Sequence, residues 1–506
     1  MKKKIALVML AGLCGAVANA AEPFDSLHYR VELQTTLSGG DHTPLWLNAN
    51  KYGLSSLEKV NGYVRAAVDR PLSADDGNKW GLGYGLDVAL AHHFTSTLVV
   101  QQAYFEGRWL KGTLTVGSKE YPMELKNNAL SSGSQALGIN ARPIPQVRLA
   151  LPDYWTIPYT KDWLAIKGHI AYGKPTDDNW QKDFTHQQSR YTEGALHHSK
   201  AGYLRIGPKN ITLEMGLEMA CQFGGKVYRG NEIIQNKSGL GSFFQALIPS
   251  GGDVTDGDNY QNASGNHLGS WVARLNFDDE KWNLGIYADH FFEDNSALFQ
   301  LGNDGYGSGE NWNKMEKFCF FGYDFKDFLL GLELKLKSNP WLNDVVLEYL
   351  YTKYQSGPVY HDHTPQISTQ ISGRDQFYNH NLYTGWQHWG MVMGNPLYQS
   401  PLYNENRIIR VLNNRFVAWH FGASGSPLPQ LAYRLLATWQ RGYGTIDELF
   451  YDPRENVSLM AEVGYIFSKG WSVKAGVGAD FGKLYGDNTG CQLTIAKRGL
   501  LNLKRK

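Results

Sequence analysis

The chain has 506 residues, a formal net charge of +1, 13% aromatic and 19% charged residues, and 55 glycines. A net charge so close to zero disfavours a general nucleic-acid binder, since such proteins carry an excess of Lys and Arg. After the first twenty residues no apolar run approaches the roughly 18 residues that a membrane-spanning helix needs, which excludes a helical inner-membrane protein.

Residues 1–20 have the layout of a secretory signal peptide. Lysines near the start precede an apolar stretch over residues 5–17, and Ala18-Asn19-Ala20 then offers a small-residue cleavage site. We therefore expect removal of this segment and a mature protein, residues 21–506, that forms a single domain. Lipidation of Cys14 is the alternative, but the residue before this cysteine is not small.

The mature chain is dominated by a two-residue period. Residues 211–223 carry an apolar side chain at every odd position and a polar or small one at every even position, and 80–92 and 470–482 alternate in the same way. Such alternation predicts strands with one apolar face. With weaker stretches near 145–151, 317–324 and 382–393, the predicted total is about 18 strands. The other segments lie near 28–38, 61–70, 97–109, 112–120, 163–173, 267–277, 281–293, 328–337, 343–354, 406–421, 430–442, 455–467 and 488–497, and 200–223 holds two strands around Pro208-Lys209-Asn210.

The connections between these segments are of two kinds. Residues 278–281 and 467–471 are typical of tight turns, whereas 174–199, 224–266 and 355–381 are long. We therefore predict an all-β fold, a transmembrane antiparallel β-barrel with long extracellular loops. Tryptophans at the strand ends suit the aromatic girdles of such a barrel: Trp80, Trp109, Trp163, Trp282 and Trp471. The alternative is a secreted soluble β-sandwich, whose strands also alternate.

Motifs for metal binding and catalysis are weak. The three cysteines outside the signal peptide are far apart and favour neither a disulfide framework nor a zinc site. His361 and His363 flank Asp362 and would point to one side of a strand, but they stand alone in a predicted loop. Glu293-Asp294 and Ser131-Ser132-Gly133-Ser134 come nearest to a catalytic motif, and neither has a partner at a meaningful spacing. A surface hydrolase would have to use Asp362, Asp375 or Glu293. We expect no metal, no cofactor and no enzyme activity.

Residues 374–390 interleave aromatic rings with amide, carboxylate, imidazole and guanidinium groups. Aromatic rings can stack on the C–H faces of pyranoses, planar polar groups can bond to the hydroxyls, and arginines can pair with acidic sugars. We therefore predict polysaccharide binding by Arg142, His361, Asp362, His363, Arg374, Asp375, Tyr378, His380, Tyr383, Trp386 and Trp389. The alternative is that the aromatic residues brace a wide lumen or stand at the membrane interface.

Further short motifs run through almost the whole mature chain, and their order and number are more specific than any one of them. They are Pro44-Leu45-Trp46-Leu47, Asn50-Lys51-Tyr52-Gly53, Leu130-Ser131-Ser132-Gly133, Asn140-Ala141-Arg142-Pro143-Ile144-Pro145-Gln146, Gly265-Asn266-His267-Leu268-Gly269, Phe292-Glu293-Asp294, Asn303-Asp304-Gly305, Gln355-Ser356-Gly357-Pro358, Tyr378-Asn379-His380, Gly385-Trp386, Gly394-Asn395-Pro396-Leu397 and Asn413-Asn414-Arg415. With these motifs the chain resembles the capsule-assembly Wzi family of outer-membrane proteins, in its Bacteroidetes form.

The resemblance implies an outer-membrane β-barrel that acts as a lectin-like anchor for capsular polysaccharide, without catalysis and without a cofactor. The chain departs from the enterobacterial members in one respect. Those members carry a small periplasmic helical bundle, whereas no segment here has a clear helical period.

Our leading hypothesis is a non-enzymatic barrel in the cell outer membrane that binds and anchors capsular or surface polysaccharide during capsule assembly. The expected partners are that polysaccharide, outer-membrane lipids and lipopolysaccharide, and the capsule export machinery, with no nucleic acid. The size of the barrel leaves a porin-like channel for sugars or ions as the alternative. A surface hydrolase ranks third.

Overall fold

The computed structural model describes residues 26–249, 264–293, 307, 309–312, 314, 316, 326–360 and 371–501. Its main sheet has 18 antiparallel strands and closes on itself, because the first strand pairs with the last. The strands are β1 Leu27–Gly39, β2 Val60–Arg70, β3 Trp80–His92, β4 Leu98–Trp109, β5 Gly112–Ser118, β6 Gln146–Thr156, β7 Leu164–Gly173, β8 Leu196–Ile206, β9 Ile211–Phe223, β10 Asn266–Asp278, β11 Trp282–Glu293, β12 Phe328–Leu336, β13 Asp344–Tyr351, β14 Phe416–Leu428, β15 Leu431–Gly444, β16 Leu449–Ile466, β17 Trp471–Gly482 and β18 Asn488–Leu501. The predicted barrel and its strand number are confirmed. The predicted signal peptide lies outside the described residues.

The α-helices of the described residues are short. They are α1 Leu45–Asn48, α2 Asp178–Phe184 and α3 Leu240–Leu247. None of the helices in these ranges combines the length and the apolar character needed to cross a bilayer.

The strands turn their apolar side chains outward and their polar side chains inward. In β1, Val31, Leu33 and Leu37 are each about half exposed, whereas Glu32 and Gln34 are buried in the barrel interior. A soluble β-sandwich shows the opposite arrangement, with apolar side chains in its core. The apolar outer face is what a strand presents to lipid, so the barrel is built for a membrane.

The connections sort onto two rims of the barrel. Because the strands are antiparallel, every second connection lies on the same rim. One rim, the turn side, holds the described ends of the chain and short connections such as 110–111, 207–210, 279–281 and 429–430. The other rim, the loop side, holds the long connections 40–59, 119–145, 174–195, 224–265 and 352–415. In outer-membrane barrels, short turns are periplasmic and long loops extracellular.

Helix α3 covers part of the outer wall near the loop side. Lys200 on the outward face of β8 donates from Nζ to the carbonyls of Ala246 and Leu247, at 3.1 and 2.6 Å. Cys221 and Phe223 point outward from β9 but are buried, because they pack against this helix. The apolar face predicted for β9 is therefore open to lipid only along its first half.

Two predicted strand segments are wrong in detail. Residues 406–415 do not extend β14, which begins at Phe416, and 382–393 contain only the short pairing of Gln387–His388 with Met391–Val392. The apolar side chains of these residues pack inside the barrel lumen, where Trp386 and Val392 are buried, so their alternation does not mark a wall strand. The stretch 317–324 lies outside the described residues.

Loop-side segments fold back into the lumen and fill it. These segments, which we call the plug, are residues 40–59, 119–145 and 374–415. They form the main hydrophobic core of the molecule together with inward-facing wall residues. Trp46 in α1, for example, donates from Nε1 to Thr438 Oγ1 at 3.0 Å and lies with its ring centre 4.8 Å from that of His420. The core of this barrel therefore lies in its lumen.

Carboxylates of the inner wall hold the plug in place. Glu348 accepts hydrogen bonds from the Ser131 hydroxyl at 2.6 Å and from the backbone N–H of Ser132 at 2.8 Å. Asp289 forms a buried ion pair with Lys126, with a distance of 2.6 Å between Oδ2 and Nζ. Buried donors left without such acceptors would cost roughly 1–3 kcal/mol each. A lumen packed in this way disfavours a freely conducting channel.

Candidate functional site

Arg142 lies near the end of the plug segment 119–145 and is only 8% exposed. Its guanidinium donates from Nη1 to Ser96 Oγ at 2.8 Å, from Nη2 to Thr95 Oγ1 at 2.7 Å and from Nε to the Gly53 carbonyl at 3.5 Å. Its Cζ lies 4.5 Å from the centre of the Trp389 ring. The structure thus brings together two residues that the sequence analysis selected 247 positions apart in the chain, an arginine and a tryptophan.

Residues of three loop-side connections fix this arrangement. The backbone N–H of Trp389 donates to Asp177 Oδ2 at 3.1 Å, and its indole Nε1 donates to Thr176 Oγ1 at 3.4 Å. His388 bridges the Arg142 carbonyl through Nδ1 at 2.8 Å and the backbone N–H of Thr176 through Nε2 at 3.1 Å. This pattern requires a neutral imidazole with its proton on Nδ1, and burial lowers the pKa of His388 accordingly. We call Thr95, Ser96, Arg142, Thr176, His388 and Trp389 the Arg142 cluster.

The electrostatics of the Arg142 cluster favour an anion. The hydrogen-bond partners of the guanidinium are two hydroxyls and a carbonyl, none of which carries a formal charge. Burial lowers the pKa of Arg142 to about 10, with Asp177 acting in the opposite direction, so the side chain remains a cation at neutral pH. A desolvated cation with neutral partners gains from a carboxylate that can take a planar pair of hydrogen bonds.

A cavity of about 340 Å³ adjoins Arg142, between the plug and the inner wall of β4–β9. This volume is within the range of small-ligand sites. The wall combines aromatic rings with charged and amide groups, as sugar-binding surfaces do. Its lining includes Lys119, Glu120, Tyr121, Arg142, Arg148, Tyr203, Glu218 and Trp386.

Three of the predicted aromatic residues are buried inside the plug. Tyr378, Tyr383 and Trp386 are at most 2% exposed. Each donates a hydrogen bond to a backbone carbonyl: Tyr378 to Gln135, Tyr383 to Gly224 and Trp386 to Ala136. These contacts support the bracing role that the sequence analysis left open. Polysaccharide contact by these three rings stays a prediction.

The other predicted residues lie apart from the Arg142 cluster. His380 is half-buried, and its Nδ1 accepts the backbone N–H groups of the two residues at 382 and 383. Burial, with Arg190 nearby, lowers the pKa of His380 to about 3. Arg374 is exposed beside Tyr354, near β13 on the far side of the barrel, and Asp375 is buried next to it. His361, Asp362 and His363 lie outside the described residues.

Several members of the Arg142 cluster were not predicted from the sequence. Thr95 and Ser96 lie in the short loop-side connection between β3 and β4, and Thr176 follows the end of β7. No motif marks these residues, because hydroxyls at strand ends are common. His388 could have been predicted, since it lies inside the aromatic and polar segment beside Trp389.

Comparisons with known proteins agree with this architecture. The family model described as capsule assembly protein Wzi matches residues 33–313, which is more than half of the chain. The solved Wzi of Escherichia coli, described as an outer-membrane protein involved in group 1 capsule assembly and a carbohydrate-binding β-barrel, is 13% identical. The alignment covers 97% of this chain and 87% of that one, with a TM-score of 0.54.

Two further solved structures, both of Pseudomonas aeruginosa proteins, have lower TM-scores. OprD is 9% identical, with coverage of 94% and 95% and a TM-score of 0.43. OccK5 (OpdH) is also 9% identical, with coverage of 94% and 98% and a TM-score of 0.45. No curated protein sequence matches the chain. From its family match and its closed barrel with an apolar outer face, the chain belongs to the capsule assembly Wzi family of outer-membrane proteins.

Proposed function

We propose that this barrel binds capsular or surface polysaccharide at its loop side and holds the polymer during capsule assembly. The observation that carries the proposal is the Arg142 cluster, a buried arginine with uncharged partners beneath an indole ring. An acidic sugar would place its carboxylate against the guanidinium of Arg142. The C–H face of a pyranose would stack on the part of the Trp389 ring that stays accessible.

The same chemistry requires neither catalysis nor a cofactor. A guanidinium and an indole hold a ligand without taking up or releasing a proton at neutral pH. Glu293, one of the candidate hydrolase residues, accepts a hydrogen bond from the backbone N–H of Tyr378 at 2.6 Å and therefore stabilises the plug. Carbohydrate binding by the Escherichia coli barrel of the same family supports a binding role here.

Two further kinds of partner belong to this proposal. The apolar outer face would be surrounded by outer-membrane lipids and lipopolysaccharide. The capsule export machinery would deliver the polymer to the loop side, since a plugged lumen offers the polymer no path of its own.

The proposal is tested by binding of acidic and neutral capsular polysaccharides to the purified barrel. Arg142→Gln should lower the affinity for the acidic polymer about 30-fold, because a hydrogen bond to a charged group is worth roughly 1.5–3 kcal/mol. The affinity for a neutral polymer should change much less. Arg454→Gln is the matched control, since Arg454 stacks on Phe450 at 4.1 Å but is exposed. Equal affinity of wild type and Arg142→Gln for the acidic polymer would refute the proposal.

A further inference from the structure

The outward side chains of β15 change from aliphatic to aromatic and cationic toward the loop side. Its outward positions run from Leu435 through Trp439 to Arg441 and Tyr443, while the residues between them face the lumen and are buried. On the neighbouring strand β14, Trp419 also points outward and is half exposed. An aliphatic belt, then tryptophan, then cations and tyrosine is the order expected from the hydrocarbon core to the headgroup layer.

Cations gather around Tyr443 at this depth. Lys353 Nζ lies 4.3 Å from the centre of the Tyr443 ring, and Arg441 Cζ lies 5.9 Å from it. Arg415 joins them by donating from Nε to the Lys353 carbonyl at 2.9 Å. Stacking on the tyrosine holds the flexible side chains in place while their charged ends remain accessible.

A second tyrosine extends the group along the rim. Arg374 Cζ and Lys326 Nζ lie 4.5 and 4.3 Å from the centre of the Tyr354 ring. Arg374 also lies close enough to Arg415 to lower its pKa, after the larger effect of burial. We call Lys326, Lys353, Arg374, Arg415 and Arg441 the rim patch.

Among the described residues, the carboxylates of Asp327 and Glu455 lie beside members of the rim patch, and both are engaged. Asp327 is buried, and its Oδ1 accepts the backbone N–H groups of Tyr354 and Gln355 at 3.0 Å each. Glu455 pairs with Arg441 at 3.5 Å on the exposed surface. Within the described residues, Lys353 contacts a tyrosine ring and Arg415 contacts a carbonyl, so both bring positive charge to headgroup depth beside uncharged partners.

We infer that the rim patch binds the phosphorylated headgroup of an outer-leaflet lipid. Guanidinium groups take phosphate oxygens in pairs, and ammonium groups add point charges. The patch lies on the outer wall above Trp419 and Trp439, where a headgroup lies when its acyl chains run along the apolar belt. A polysaccharide held at the Arg142 cluster would lie across the barrel from it. The inference rests on the part of the proposed function that surrounds the outer wall with outer-membrane lipids, but it does not depend on polysaccharide binding at the Arg142 cluster.

The test uses the full barrel in detergent micelles and two glycolipids with the same acyl chains, diphosphorylated lipid A and its dephosphorylated form. Lys353→Gln combined with Arg415→Gln should weaken binding of the phosphorylated lipid about 25-fold, since each cation near an anionic lipid surface is worth about fivefold. Lys281→Gln combined with Lys337→Gln removes the same charge from the turn side and should have no effect. The dephosphorylated lipid should bind weakly to all three proteins.

The charge-conserving variant Lys353→Arg combined with Arg415→Lys should bind the phosphorylated lipid within about threefold of wild type, which keeps the test decisive even where the glutamine variant folds poorly. Equal affinity of the wild type and the glutamine variant for the phosphorylated lipid overturns the inference. A glutamine variant that loses acidic polysaccharide but keeps the lipid overturns it as well, and assigns the rim patch to the polymer.

Discussion

The inner and outer faces of one part of the barrel, β11–β15, hold charged side chains that meet different kinds of partner. On the inner face, Asp289 and Glu348 are buried and engage donors of the plug. On the outer face near the loop side, Lys353 and Arg415 lie beside tyrosine and a carbonyl. Charges that are satisfied within the protein build the fold, and charges left with neutral partners are available for a ligand.

Arg142 combines one property of each face. It is buried like the inner carboxylates, but its hydrogen-bond partners are uncharged, as are the tyrosine and the carbonyl beside Lys353 and Arg415. This combination separates it from Lys126, which is equally buried but paired with Asp289. Burial alone therefore does not distinguish a structural charge from a binding charge, and the nature of the partners does.

The largest effect is expected from breaking an inner pair. Asp289→Leu leaves Lys126 buried without its carboxylate and removes the acceptor of the Gln135 backbone N–H. The loss of one partner of a buried ion pair typically costs about 3–5 kcal/mol. We expect lower stability in urea unfolding and, because the plug loosens, higher current in planar bilayers than the low current of the wild type.

Lys335→Met is the control for that experiment. Lys335 pairs with Glu333 at 3.2 Å, but its side chain is about half exposed, so the cost should stay below about 1 kcal/mol. A wild-type barrel that already conducts as freely as Asp289→Leu would contradict the role given to the plug and would favour the channel alternative.

The barrel was predictable from the sequence because each strand faces lipid on one side and polar groups on the other. Val31 and Glu32 occupy consecutive positions with opposite environments, and a two-residue period records this directly. The plug was not predictable in the same way. Trp386 and Val392 are buried by segments far away in the chain, whereas the alternation of apolar residues around them is typical of a strand.

The candidate site was also only partly predictable from the sequence. Arg142 and Trp389 were selected for their chemistry, but nothing in the sequence said that they meet while Arg374 lies across the barrel. Which arginine is buried depends on how the plug segments cross the lumen. The hydroxyls of Thr95 and Ser96 became part of the site only through that crossing.

The next largest effect is expected on polysaccharide affinity when the Trp389 ring above Arg142 is removed. Trp389→Ala removes the indole 4.5 Å from the guanidinium and the surface for a pyranose, so polysaccharide affinity should fall about tenfold. Trp389→Phe keeps a ring and should retain most of the affinity. Calorimetric titration with acidic polysaccharide measures both variants, and unchanged affinity for Trp389→Ala would remove this residue from the proposed site.

A smaller effect is expected in the pH dependence of the stability of the plug. The pKa of His380 is lowered to about 3 in the folded protein, whereas an unfolded histidine titrates near 6.5. Between these values the unfolded chain binds more protons, so the stability contributed by neutral His380 falls as the pH drops below about 6.5. We expect the free energy of unfolding to fall by about 1 kcal/mol between pH 7.5 and pH 5, after allowance for the partial exposure of His380.

His380→Asn is the matched variant for that measurement. The asparagine oxygen can accept the same two backbone N–H groups but does not titrate. The free energy of urea unfolding should therefore depend less on pH in the variant than in the wild type between pH 7.5 and 5. Parallel pH profiles for the two proteins would show that His380 does not couple the plug to acid.

The smallest effect has the opposite sign, because it comes from removing a carboxylate at the rim. Glu455→Gln releases Arg441 from an exposed pair and should raise the affinity for phosphorylated lipid two- to threefold, since such pairs are worth about 0.2–1 kcal/mol. Asp278→Asn removes the same charge from an exposed pair with Lys337 on the turn side and should leave the lipid affinity unchanged. A weaker affinity for Glu455→Gln would mean that Glu455 orients Arg441 toward the lipid, so that this carboxylate would be part of the binding site.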